Sequence, residues 1–147
     1  MARPLPEPVL FLDECFGGAT VAGALRAAGA TVEVLIDHFP SGTSDSVWIP
    51  FVGHRGWVAV TKDKRIRHRR LEQDAVMNSG LALFVLTSGD LRATEEAAAL
   101  ASAYPRMRKL LRDYQLPFIA SINDKGTTVK LLTLGRRHAA EKDDRGR

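Results

Sequence analysis

The sequence of 147 residues predicts one α/β domain, a three-layer α/β/α sandwich with a mostly parallel sheet and a C-terminal hairpin. Short apolar runs typical of buried strands alternate with segments whose apolar residues recur at helical spacing. Two of these runs, at 9–12 and 57–61, are soon followed by an aspartate, and Asp45 lies at the predicted start of a helix. In open parallel sheets, residues just past the carboxyl ends of strands line a shared crevice where ligands bind.

The first part of the chain predicts a βαβ unit. A strand at 9–12 leads into a helix that Gly29 ends, and the β-branched segment Thr31–Ile36 predicts a second strand. A helix capped by Thr43 or Ser44 comes next and ends before the following strand.

The remainder predicts three more strands beyond 57–61, with helices between them. In order these elements are a helix at 71–79 ending at Gly80, a strand at 81–86, a helix at 95–103, a separate helix starting at Pro105, and a hairpin of strands at 118–122 and 127–134. Residues 1–134 therefore form the predicted domain, and the polar residues 135–147 are expected to be a disordered tail.

The composition is that of an ordinary globular protein, with 45% apolar and 26% charged residues. No stretch approaches the roughly 18 to 20 apolar residues of a membrane span, and the proline-rich N-terminus does not resemble a signal peptide. We therefore expect a cytoplasmic protein with no membrane partner. The single cysteine and four histidines have no zinc-site spacing, which argues against structural zinc.

Positive charge is concentrated in two places although the net charge is only +4. A basic run comprises Lys62, Lys64, Arg65, Arg67, Arg69 and Arg70, and a second group comprises Arg106, Arg108, Lys109 and Arg112. Such clusters suit the phosphate backbone of a nucleic acid, or they are solvated helix faces. We favour nucleic-acid binding for the basic run, because it adjoins the strand-end acids, and a solvated face for the second group.

The acidic residues Asp13, Asp45 and Asp63 are the candidate metal ligands. Each alone has a simpler explanation, as a turn residue, a helix-start charge or an ion-pair partner of Lys62 or Arg65. Their joint placement beside a basic run favours a shared site. Carboxylates brought together repel one another, so a cation should lie between them, and hard oxygen ligands favour Mg²⁺ or Mn²⁺.

The order of these residues resembles a known family. The chain looks like the PIN-like domains in four segments. In order these are Leu-Asp-Glu at the first strand end, Asp-x-x-Trp at a helix start, Gly-Trp-Val-Ala-Val-Thr-Lys-Asp-Lys-Arg-Ile, and Phe-Val-Leu-Thr-Ser-Gly. Within these, the chain most resembles the small bacterial group associated with VapC-type toxins. The resemblance spans about residues 9–125, and Thr-Lys-Asp-Lys-Arg-Ile is its most specific part.

The resemblance implies a metal-dependent ribonuclease that uses Mg²⁺ or Mn²⁺, with catalytic roles for Asp13, Asp45 and Asp63. It also implies an RNA substrate and a cognate antitoxin protein, and it leaves open whether the chain forms a homodimer. PIN domains commonly carry a fourth acid, for which the candidates here are Glu72, at the start of the helix after the basic run, and Asp90.

The leading interpretation is an endoribonuclease in which metal-activated water hydrolyses an RNA phosphodiester. Lys62, Lys64 and Arg65 would position the backbone, and Lys64 would also stabilise the leaving oxygen. Arg67, Arg69 and Arg70 would extend the RNA-binding surface.

Two alternatives come from other functional classes. One is a catalytically inactive PIN-like module that binds RNA or an antitoxin. The other is a receiver domain, which would use Asp13-Glu14, Asp63 and Thr87-Ser88. A receiver would also need proline after the lysine that follows its fifth strand, whereas Lys125 is followed by Gly126.

Overall fold

The computed structural model of the protein describes residues 7–63, 69–87 and 90–135. The strands in these ranges are β1 (Val9–Leu12), β2 (Thr31–Val34), β3 (Val58–Thr61), β4 (Ala82–Leu86), β5 (Phe118–Ile122) and β6 (Val129–Leu134). The helices are α1 (Thr20–Ala27), α2 (Asp45–His54), α3 (Arg70–Ser79) and α4 (Ala93–Asp113).

The strands form one sheet in the order β2-β1-β3-β4-β5-β6. The first five strands are parallel, and β6 pairs antiparallel with β5 as the predicted hairpin. From β1 the chain crosses to β2 on one side and later returns to β3 on the other. A topological switch point therefore lies between β1 and β3, where a ligand crevice is expected.

Helices cover both faces of the sheet, which confirms the predicted three-layer architecture. Alternate residues of β1 enter opposite cores: Leu10 and Leu12 pack on the side of α1 and α4, and Phe11 packs on the side of α2 and α3. All five residues of β4 are buried, as expected for a central parallel strand covered on both faces.

Strand β2 is shorter than predicted. Its ladder ends at Val34, and Leu35–Asp37 forms a 3₁₀ turn in which the Leu35 carbonyl accepts hydrogen bonds from His38 N and Phe39 N. The turn buries Leu35 in the α2 side of the core while leaving Ile36 58% exposed. Alternation along β2 already directs Leu35 to the face opposite Val32 and Val34, and the turn keeps it on that face while it ends the ladder before Ile36.

The prediction that Pro105 separates two helices is wrong. A single helix, α4, runs from Ala93 to Asp113 with Pro105 inside it on the exposed side. Buried residues continue on both sides of the proline, including Leu100, Ala103 and Met107. Proline in a helix interior costs about 3 kcal/mol, so we attribute the continuity of α4 to the burial of this long apolar stripe.

Within the described ranges no helix is both long and apolar enough to cross a membrane. The predicted tail, from residue 136 onward, lies outside the described residues, so its disorder and the domain boundary at 134 stay predictions.

Candidate active site

Five carboxylates line one pocket of about 490 Å³ at the carboxyl ends of β1 and β3, and four of them are candidate metal ligands. Asp13 directly follows β1, Asp63 lies two residues beyond β3, Asp45 is the first residue of α2, and Glu72 lies in the first turn of α3. The structure therefore brings together the three aspartates and one of the two candidates for a fourth acid.

Asp13 is the most buried of these acids, with 9% of its surface exposed. Its Oδ1 accepts a hydrogen bond from Glu14 N at 2.7 Å, and its Oδ2 accepts one from the Thr61 hydroxyl at 2.8 Å. Burial raises the pKa of Asp13 above its ordinary value of 3.8, and the charge of Asp63 adds to this, although the bonds from Thr61 and Glu14 oppose it.

Thr61 links the two strand-end acids. Its side chain is fully buried at the end of β3, and its Oγ1 also accepts a hydrogen bond from Asp63 N at 3.1 Å. One hydroxyl thus donates to the Asp13 carboxylate while it accepts from the backbone of Asp63. This arrangement fixes the spacing between the end of β1 and the segment that follows β3.

Asp45 is half-buried and does not cap its own helix. Ser44 occupies the N-cap position without a side-chain capping bond, because its hydroxyl pairs with that of Ser46. Desolvation raises the pKa of Asp45, and the charge of Asp13 raises it further. The opposing influence is a hydrogen bond from the Trp48 indole to Asp45 Oδ1 at 2.9 Å.

Glu72 completes the acidic wall from α3. Its Oε1 lies 3.8 Å from Arg69 Nη1, and its Oε2 is buried without a hydrogen-bond partner in the described part of the chain. A buried carboxylate oxygen without a partner is costly unless a cation or water meets it. Asp90, the other candidate, is exposed in the loop after β4 and does not line the pocket.

The donor set suits a hard divalent cation held partly by water. In residues 7–63, 69–87 and 90–135, no three acidic, histidine or cysteine side chains are close enough to enclose an ion directly. Mg²⁺ commonly takes only one or two carboxylates and keeps several waters. Mutually repelling carboxylates around an open pocket fit that mode, as does the buried Oε2 of Glu72, which has no hydrogen-bond partner among the described residues.

Glu14 and Cys15 also line the pocket but have other roles. The Glu14 carboxylate accepts hydrogen bonds from Gly42 N and the Ser41 hydroxyl, which lower its pKa and anchor the loop before α2. Burial and the charge of Asp13 raise the pKa of the Cys15 thiol to about 12. The thiol therefore stays protonated near neutral pH, unlike a reactive cysteine nucleophile.

The basic run is only partly described. Lys62 Nζ lies 2.5 Å from Oε2 of Glu96 in α4, and the Glu96 side chain is only 3% exposed. Lys62 thus reaches toward the α1 and α4 side of the sheet, away from α2 and α3. Arg70 extends from α3 with 86% of its side chain exposed. Lys64, Arg65 and Arg67 lie outside the described residues.

Sequence reasoning misses Thr61 and Trp48, both of which bond directly to a site carboxylate. The sequence pattern marks Thr61 only as a strand residue and Trp48 only as core packing. The available signal is the spacing: a polar residue ending a buried run beside an acid, and a tryptophan one helical turn after Asp45.

Comparison with known proteins agrees with this geometry. A family profile described as "PIN like domain" matches residues 8–88, a span that contains all five pocket acids. A curated Mycobacterium tuberculosis (strain ATCC 25618 / H37Rv) protein named "Putative ribonuclease VapC45" is 27% identical over 118 residues, which cover 78% of this chain and 85% of that protein. No solved structure matches the chain significantly.

Proposed function

Because the chain belongs to the PIN-like domain family, we propose that it is a Mg²⁺- or Mn²⁺-dependent endoribonuclease that hydrolyses RNA at the acidic pocket. The observation that carries the proposal is the convergence of Asp13, Asp45, Asp63 and Glu72 on one pocket at the switch point of the sheet. These four acids come from four separate elements, and packing of the apolar core alone does not require them to share one cavity.

Asp13, Asp45 and Asp63 would hold the cation together with bound water, some of them only through that water, with Glu72 as the fourth acid. A divalent cation in this pocket would supply positive charge to the reacting phosphate and lower the pKa of the attacking water. Thr61 keeps Asp13 and the Asp63 backbone in a fixed relation. Lys64 remains our candidate for stabilising the leaving oxygen, and Arg65, Arg67, Arg69 and Arg70 for contacting the RNA backbone. We assign Lys62 a smaller share of the binding energy, because Glu96 neutralises its charge.

We also propose that the chain is the toxin of a toxin–antitoxin pair and acts in the cytoplasm. Its similarity to the mycobacterial protein named as a VapC ribonuclease supports this role. The expected partners are then an RNA substrate and a cognate antitoxin protein. Membership of the PIN-like family argues against the receiver domain. The lysine that a receiver would need after its fifth strand, Lys125, here lies in the turn of the β5–β6 hairpin.

A catalytically inactive RNA- or antitoxin-binding module is the second candidate. It is favoured by the absence, in the described ranges, of three ligand side chains close enough to enclose an ion. Both candidates share the fold and the basic surface, and they differ in whether a cation binds and RNA is cut.

Metal binding can be tested by thermal unfolding. Saturating Mn²⁺ or Mg²⁺ should raise the melting temperature, because a ligand of the folded state alone stabilises it by about 2.7 kcal/mol at 100 times its Kd. Changing Asp13 and Asp63 together to Asn should abolish the rise, whereas Asp113→Asn, at the exposed end of α4, should keep it. A rise that survives the double change would place the metal elsewhere, and no rise in the wild type would favour the inactive module.

RNA binding by the basic run has a matched control in the same chain. Changing Arg65, Arg67 and Arg69 together to Ala should weaken binding to single-stranded RNA and flatten its salt dependence by about 0.7 per lost phosphate contact. Changing Arg106, Arg108 and Arg112 removes the same charge from α4, where Arg108 already pairs with Glu7. Equal weakening by both triple variants would indicate general charge attraction, and not a binding surface beside the pocket.

A further inference from the structure

The largest fully buried side chain in the described ranges touches a site acid. Trp48 is 0% exposed, and its indole Nε1 donates to Asp45 Oδ1 at 2.9 Å. The two residues are one turn apart on α2, so they share a helix face. A buried indole N–H must find an acceptor, but the acceptor here is a half-buried carboxylate of the acidic pocket and not a backbone carbonyl.

Asp45 needs such a restraint because like charges surround it. The carboxylates of Asp13, Asp63 and Glu72 all act on it electrostatically in the same unfavourable sense. A short aspartate side chain at the start of a helix could turn away from them, toward solvent or toward the free N–H groups of its own first turn. The bond to Trp48 opposes that rotation.

The Trp48 ring is itself held in place by the strand that carries Asp13. It stacks on Phe11 with ring centroids 5.7 Å apart and an interplanar angle of 28°, and Phe11 lies in β1 two residues before Asp13. Trp57, before β3, stacks on Phe11 as well, at 6.2 Å and 26°. The indole N–H of Trp48 thus connects Asp45 to an aromatic cluster anchored on the strand that carries Asp13.

We propose that Trp48 is a positioning residue that holds the Asp45 carboxylate toward the cation site. The inference rests on the proposed function, since it assigns Asp45 to metal binding. Partners that orient metal-binding side chains typically change metal affinity by about 10–100-fold when removed. An indole that only fills the core would leave the metal affinity of the folded protein unchanged.

Trp48→Phe removes the N–H while keeping an aromatic ring, and Trp57→Phe is the matched control. In the described residues Trp57 stacks on the same Phe11 ring but donates no hydrogen bond to a carboxylate. Calorimetric titration with Mn²⁺ should show affinity lowered about 10–100-fold in Trp48→Phe and unchanged in Trp57→Phe. Wild-type affinity in folded Trp48→Phe would overturn the inference. No binding by the wild type would instead overturn the proposed function, and the inference with it.

A second measurement does not require any Trp48 variant to fold. The chain has two tryptophans, so a ¹⁵N–¹H spectrum contains two indole N–H signals, and Trp57→Phe identifies which belongs to Trp48. Mg²⁺ should shift the Trp48 signal saturably, and Asp45→Asn should shift it without metal. A Trp48 signal that neither change moves would overturn the inference, because a bonded indole reports the charge and position of its acceptor.

Discussion

Changing Asp13 to Asn is expected to lower RNA cleavage by orders of magnitude while raising the melting temperature of the metal-free protein. Cleavage should fall because a proposed ligand of the catalytic cation is lost. Stability should rise because burial and the charge of Asp63 hold the pKa of Asp13 above 3.8, so that ionising it costs free energy in the folded state. Each kcal/mol recovered should raise the melting temperature by about 2–4 °C.

The sign of the stability change can be checked against pH. Well below pH 3.8 the wild-type carboxyl is protonated in both folded and unfolded chains, so the two proteins should differ little. As the pH rises from 3.8 to the raised pKa, the unfolded wild-type chain ionises before the folded one, so the advantage of Asp13→Asn should grow and reach its full value above the raised pKa. Asp113→Asn, in the exposed last residue of α4, serves as the control. A variant less stable than the wild type at neutral pH would show that the bonds from Thr61 and Glu14 outweigh desolvation.

Changing Gly53 to Ala is expected to destabilise the protein and to impair the site from a distance. A Cβ at Gly53 of α2 would lie 2.2 Å from the Ser79 carbonyl oxygen and 2.9 Å from Ser79 Cβ. The end of α3 would have to move, and Glu72 at the other end of that helix would move with it. Overpacking of this kind typically costs about 1–3 kcal/mol, and metal affinity should fall as well.

Gly23 provides a control of opposite sign. It lies in α1, where an added Cβ would have nothing within 4 Å, so Gly23→Ala introduces no clash. Glycine inside a helix costs roughly 0.5–1 kcal/mol relative to alanine, so this variant should be slightly more stable and equally active. Thermal unfolding and Mn²⁺ titration of the two variants test the pair. A Gly53→Ala protein with wild-type stability and metal affinity would show that α2 and α3 do not need this close approach.

Local patterns were sufficient to predict most of the fold. Short apolar runs predicted β1, β3 and β4. The acids that follow β1 and β3 were expected to meet because parallel strands end on the same edge. The continuity of α4 through Pro105 was not predictable from local propensity. It depends on an apolar stripe that is buried only once the sheet has formed.

The sequence predicted site residues that lie at the ends of strands or the start of a helix. It did not predict side-chain contacts between residues of different elements. Asp45 was expected near the pocket from its place at a helix start, whereas its bond to Trp48 depends on how α2 packs against β1. The pairing of Lys62 with Glu96 joins residues 34 positions apart. Such pairing depends on the face of the sheet toward which a side chain points. The sequence of the basic run alone does not predict that face.

The most direct test is cleavage of a single-stranded RNA by the purified wild-type protein and, in parallel, by Asp63→Asn. Each protein is assayed in Mn²⁺, after addition of EDTA, and after Mn²⁺ is restored. We expect cleavage that EDTA stops, that Mn²⁺ restores, and that Asp63→Asn lacks while still binding the RNA. Equal cleavage by wild type and Asp63→Asn, or cleavage that persists in EDTA, would contradict metal-dependent hydrolysis at the acidic pocket. Binding without cleavage in every condition would identify the protein as an inactive RNA-binding module.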